Sequence, residues 1–476
     1  MDRQRSDNAV KLSGFRPRKE DVILFLLLLI PFLSFYYSDL NSNIRQGMNV
    51  WEALIQGRFF EYYGLNVESR DAGQMIHVAN YDMLLNIAYG IWQLPLFIIE
   101  KITGGNILDH FAARLYGKSI HFIAMYTAAG ILSKIGSIAG LDEEKNRQLK
   151  FMFLSSIFTI CVALNASQVD IIGLNLILLA TLFILKEEWG KFIVFFILAV
   201  QFKEFAWLIF LPVILAKEKN LVKSGAMLVS PFVLNFIVSL PFKLADPVGV
   251  ASRRPRTWIQ MDFLTRSRIT LGEGFEVPLL FIALGAIVFW AYFRLKEKES
   301  VRDIFFMELL SMTAVLLFTR TAPYWAVYIT PFYLLLMLMD GDRLFIRIVM
   351  EMAGTFSVMV TYFIVLWGPF DCMEGMLPDM LIKKEFVDPG LFTAWISDEK
   401  YFYFWTLSFA AFAVWLVYSM YRNRPGAERA AAPVQEDNAF WTHGTDKSIN
   451  MLLWLRALAA FFFSTVMIWV NLVLAL

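Results

Sequence analysis

The chain has 476 residues, of which 58% are hydrophobic and 16% aromatic. Its 43 basic side chains balance 42 acidic ones, which excludes the global basic footprint of a nucleic-acid binder. Apolar runs too long and too many for a soluble core predict an all-α, polytopic membrane protein of about 11–13 transmembrane helices.

The first run, Val22 to Tyr37, is close to the ~20 residues that cross a bilayer. Arg3, Arg5, Lys11, Arg16, Arg18 and Lys19 precede it, so its N-terminal side is read as cytoplasmic. No small-residue cleavage site follows, which favours a retained anchor over a removed signal peptide. Asp39 then stands at the outer membrane boundary, either as a plain helix-end residue or as an acid facing a site.

From Ile44 to Phe60 apolar residues recur at helical spacing, with Trp51, Phe59, Phe60, Tyr62 and Tyr63 suited to the headgroup zone. This predicts an interfacial amphipathic helix, either a surface element or a lid fixing Asp39 over a cavity. Met83 to Lys101 is apolar, but a full span there puts Lys145 to Lys150 outside. A shallow or membrane-parallel helix restores the positive-inside pattern.

Further runs are Leu115–Ile135, Phe151–Leu164, Ile171–Leu185, Phe192–Leu215 and Ala226–Leu240. Then come Val277–Phe293, Ile304–Phe318, Ala326–Met339, Ile348–Trp367, Tyr401–Met420 and Met451–Leu472. Their backbone must be satisfied internally in lipid, and no alternating barrel pattern is present, so they are read as helices. Gln201, Lys203 and Glu204 interrupt the middle of Phe192–Leu215, which has basic flanks at both ends. A broken hairpin, entering and leaving on one side, fits this pattern. The segment 422–450, with Pro425, Gly426 and an Ala run, reads as a cytoplasmic linker.

With these choices the outer face collects Asp39–Asp82, Asn165–Asp170, Pro241–Glu276, Thr319–Tyr324 and Gly368–Lys400. Gln168 and Asp170 open the Ile171 helix, either as ordinary caps or as a pair that reads hydroxyls. Lys203 and Glu204 lie in an apolar run where a charge costs ~2.5–3.5 kcal/mol, so they either pair with each other or hold an anionic ligand. Arg253, Arg254 and Arg256 on an outer loop break the positive-inside rule and suit a lipid phosphate, unless that loop is cytoplasmic. Arg320, before Pro323, Tyr324 and Trp325, sits at another outer helix junction and extends the same pocket. Cys161 and Cys372 form no disulfide framework. No Walker motif, dinucleotide turn or His/Cys metal spacing occurs, which disfavours nucleotide-driven transport.

The order of these features resembles the GT-C superfamily of polytopic glycosyltransferases, which use polyprenyl-phosphate sugars. Its matching points are Ser38-Asp39-Leu40, Gly57-Arg58-Phe59-Phe60, Gln168-Val169-Asp170, Lys203 ahead of Leu211-Pro212, and Tyr324-Trp325 with Pro331. The resemblance covers Val22 to Met339. It divides the chain into a module of residues 1–340 and more variable C-terminal helices, 341–476. It implies Asp39 as general base, Gln168 and Asp170 on sugar hydroxyls, and Lys203 with Arg253, Arg254 and Arg256 on the lipid-linked phosphate. Tyr81, in Tyr81-Asp82-Met83, stands where the family starts its next helix with a Tyr-Pro-Pro-like motif. The first loop lacks an Asp-x-Asp or paired acid, so no cofactor is required and a divalent metal is not indicated.

The expected partners are a polyprenyl-phosphate sugar donor, a glycan, lipid or protein acceptor, and membrane lipids. The rival readings are a flippase for a lipid-linked saccharide and a polysaccharide polymerase or ligase. Few outer glycosylation sequons point to a bacterial plasma membrane.

Overall fold

The computed structural model describes residues 18–36, 39–253, 265, 267–272, 274–294, 300–319, 323–340, 343–361, 374–375, 398–424 and 446–475. The architecture is all-α, with two small antiparallel sheets. β1 (Phe35–Tyr36) pairs with β4 (Glu374–Gly375), and β2 (Arg268–Leu271) forms a hairpin with β3 (Phe275–Pro278).

After α1 (Lys19–Ser34), α2 (Asp39–Ile55) carries the aromatic segment's N-terminal half. Leu40, Ile44 and Met48, four residues apart, pack on Leu96 and Phe97 of α4 (Met83–Thr103). Val50 and Ala53 pack on Tyr62 and Tyr63 of α3 (Tyr62–Asp71). The amphipathic pattern predicts a helix with its polar face in water, and here the structure differs. Ser42, Asn43, Arg45, Gln46 and Asn49 are buried as well. Asn49 donates to Asn66 and Ser69, and Arg45 donates to Glu100 and Asn106, whereas Asn43 Nδ2 and Arg45 Nε are buried without a hydrogen-bond partner. Gly47 and Gly90 let α2 and α4 cross closely, since a Cβ on Gly47 would lie 3.0 Å from the Tyr89 backbone.

α4 is one 21-residue helix despite Pro95. By length and composition, α4 and α11 (Leu221–Ala245) can each cross a membrane. A third candidate is the pair α6 (Glu143–Leu154) and α7 (Ile157–Ile160), bent by 49°. The run Phe151–Leu164 is therefore not a straight span. It breaks at Ser155–Ser156, and α7 runs into a π-turn, Cys161–Asn165.

α5 (Phe111–Ile138) and α8 (Asp170–Leu185) flank this break. α9 (Trp189–Phe202) and α10 (Phe205–Lys217) fold back on each other, with Phe210 against Phe192 and Phe196 at 5.5 and 5.7 Å. A continuous helix would hold residues 192 and 210 about 27 Å apart, so the interruption at Lys203 makes a hairpin. α12 (Pro247–Ala251) follows α11, and Asp246 caps it through Gly249 N at 2.8 Å.

The later helices are Leu279–Arg294, Val301–Phe318, Thr330–Asp340, Leu344–Thr361, Asp398–Asn423 and Asp446–Ala475. One apolar cluster runs from Leu24 to Phe461, so packing is continuous across residue 340. Inside it Arg456 grips Glu351 through two nitrogens at 2.6 Å and donates to Met152 O at 2.8 Å, one of the carbonyls just before the α6–α7 break. Most of segment 422–450 lies outside the described residues.

Candidate functional site

Asp39 opens α2, where the helix dipole favours a carboxylate. Its Oδ2 accepts from Gln168 Nε2 at 3.0 Å, and its Oδ1 lies 3.4 Å from His77 Nε2. Burial raises the Asp39 pKa above its usual range, while Gln168, His77 and Lys203 pull against that rise. The carboxylate is thus held at a cost, as acids with a chemical task are.

The chain leading to Gln168 is shaped for the contact. The π-turn Cys161–Asn165 is followed by Ser167 at φ 51°, a left-handed conformation that L side chains rarely adopt. Gln168 N donates to Val162 O at 2.8 Å, which closes the loop and aims the Gln168 side chain at Asp39. Such local strain, typically ~1–3 kcal/mol, gathers where a side chain must be aimed.

Of the two readings open for Asp170, cap or hydroxyl reader, the cap is not the one seen at the start of α8. Instead the cap position is Val169, which makes no side-chain cap bond, and the fully buried Asp170 carboxylate receives Lys203 Nζ at 3.0 Å and the Tyr328 hydroxyl at 3.1 Å. Lys203 Nζ also sits 5.8 Å from the ring centres of Tyr81 and Trp325. Lys203 is thus ion-paired with Asp170. Tyr324 joins the same aromatic wall, edge-on to Trp325 at 6.5 Å.

At the hairpin tip Lys203 is extended, so its neighbour points the other way. Glu204 accordingly lines a cavity of about 620 Å³ with Asn80, Asp82, Gln201, Asn235, Lys243 and Arg253. Arg253 Nη2 donates to Asp82 Oδ1 at 2.6 Å and Nη1 to the Tyr63 hydroxyl at 3.2 Å. Asn235 donates to Asp82 Oδ2 at 2.7 Å. Lys243 stands at the rim, beside the exposed apolar side chains Phe236, Leu240 and Leu244 of α11. The cavity therefore combines cations, acids and amides with an apolar border.

Arg254, Arg256 and Arg320 lie outside the described residues. Among the described residues no group of three or more His, Cys, Asp and Glu is placed to hold a metal ion. Sequence reasoning missed His77, Asp82, Asn235, Lys243 and Tyr328 as site residues. Asp82 stood in a quoted motif, whereas His77 and Tyr328 meet their acids only through tertiary folding.

No family model matches the chain, and neither a curated protein nor a solved structure matches it.

Proposed function

We propose that this protein is a membrane glycosyltransferase that moves a sugar from a polyprenyl-phosphate carrier to an acceptor hydroxyl on the outer or lumenal face. In this reading the chain spans the cell membrane about 11–13 times, with several spans built from the short apolar helices. The observation that carries the reading is Asp39 at the head of α2, its two carboxylate oxygens met by Gln168 Nε2 at 3.0 Å and His77 Nε2 at 3.4 Å.

The chemistry asks for two things. The attacking hydroxyl needs a proton acceptor, worth typically ~10²–10⁴-fold, and the Asp39 end supplies it. The departing phosphate needs cations where charge develops. Arg253 and Lys243 offer them at a cavity whose border, α11, exposes Val229, Val233, Phe236 and Ile237 for an isoprenoid tail. Lys203 acts one step back: neutralised by Asp170, it braces the hairpin that presents Glu204 to the cavity. Gln201, Asn235 and Glu204 are suited to sugar hydroxyls.

The test is the fate of a labelled polyprenyl-phosphate sugar in vesicles containing the purified protein. Label moving onto an acceptor supports the reading. Label crossing the bilayer still on its carrier supports a flippase instead, and transfer of long oligosaccharides supports a polymerase or ligase.

A further inference from the structure

We infer that His77, oriented by Asp39, takes the acceptor's proton, so that Asp39 is the positioning member of an Asp–His dyad. The inference rests on the glycosyl-transfer reading and refines which atom receives the proton.

Three observations support it. The Asp39 oxygens already face protein donors, Gln168 Nε2 at 3.0 Å on one and His77 Nε2 at 3.4 Å on the other. The His77 side chain is 52% exposed against 28% for Asp39, so an incoming hydroxyl meets the imidazole first. Finally, α2 spends two further side chains on the main chain of His77. Ser42 Oγ accepts from Ile76 N at 3.3 Å and His77 N at 3.2 Å, and Gln46 Nε2 donates to His77 O at 2.9 Å. Asp39, Ser42 and Gln46 form one stripe along α2, so one helix face fixes both ends of His77.

With Nε2 turned to Asp39, the proposed step uses the tautomer that carries its proton on Nε2 and leaves the Nδ1 lone pair for the acceptor. In the step, the acceptor oxygen bonds to the sugar C1 while the bond from C1 to the phosphate oxygen breaks. The phosphate leaves with the electron pair, and the hydroxyl proton passes to His77 Nδ1. The imidazolium is stabilised by Asp39, and its proton returns to water through the exposed ring. The other groups around the dyad are Gln168, the Lys203–Asp170 pair from the hairpin tip and α8, and Tyr89 from α4. None of these is placed against His77 as Asp39 is.

Rates of labelled-sugar transfer across pH decide the matter, measured on the full-length protein, His77→Gln and His77→Ala. The expected result is a kcat about 10²-fold lower in both variants, loss of the acidic limb of the pH profile in His77→Gln, and recovery of His77→Ala by added imidazole. A His77→Gln variant with the original kcat and pH limb overturns the inference, makes Asp39 the direct base and leaves glycosyl transfer standing. Loss of activity in His77→Ala without imidazole rescue, with the limb unchanged in the residual rate, also overturns it. Absence of transfer by the unmodified protein overturns both the inference and the function it rests on.

Discussion

The side-chain amide of Gln168 donates to the carboxylate of Asp39 at 3.0 Å, across 129 positions of sequence. That bond ties the start of α2 to the turn before α8 and sets which way the Asp39 carboxylate faces. Replacing Gln168 with Glu puts a second acid against Asp39, and like charge raises a carboxyl pKa further. The acidic limb of transfer activity then moves to higher pH. Gln168→Leu removes the bond without adding charge and lowers kcat while KM for the donor stays within about twofold, because one hydrogen bond to a charged group is worth ~1.5–3 kcal/mol. Steady-state kinetics from pH 5 to 9 distinguishes the two variants.

Asp39 is also expected to cost the fold stability. An acid whose folded pKa is raised binds its proton more tightly when folded, so stability declines as pH climbs from the unfolded value through the folded one. Above that window the ionised, partly buried carboxylate is a standing cost. Asp39→Asn removes it and keeps an oxygen for Gln168. Thermal unfolding at neutral pH is predicted to give a midpoint equal to or above that of the original protein, with the two converging on acidification.

The Lys203–Asp170 pair should behave in the opposite way. Both side chains are buried, and removing one partner strands the other, at ~3–5 kcal/mol. Lys203→Met and Asp170→Leu are each expected to lower the unfolding midpoint in detergent. The double variant regains much of the loss, since two apolar side chains leave no stranded charge. A double variant no more stable than the singles would show that the pair does more than neutralise itself.

The cavity residues report on donor binding. Arg253→Ala frees the Asp82 carboxylate and removes a cation, and Lys243→Ala removes a cation at the rim without disturbing a carboxylate pair. Lys243→Ala is expected to raise KM for the lipid-linked donor by roughly 10-fold with kcat little changed, the mark of lost uniform binding. Arg253→Ala is expected to lower stability as well, because Asp82 then keeps Asn235 alone of its two described side-chain partners.

How far these features were readable in the chain itself differs from residue to residue. Asp39, Gln168, Asp170 and Lys203 all stand out as polar groups at the ends or in the middle of apolar runs, and the fold brings them together. Their pairing was not readable. Lys203 has Glu204 beside it in sequence, yet the fold also brings it onto Asp170, on another helix. The hairpin itself was legible, since charges inside Phe192–Leu215 left no straight helix a reasonable course. The burial of α2 was not, because the partners of its Arg45 and Asn49 are Asn66, Ser69, Glu100 and Asn106, which no periodicity connects to it. The break at Ser155–Ser156 was equally hidden, carrying neither Pro nor Gly to announce it.

One experiment decides whether the carboxylate at the head of α2 serves chemistry: single-turnover transfer by Asp39→Asn with a labelled polyprenyl-phosphate sugar, with donor binding measured on the same sample. The predicted result is donor affinity within about threefold of the original and a transfer rate lowered by about 10²-fold or more. Transfer at the original rate by Asp39→Asn, with donor bound equally well, would contradict it.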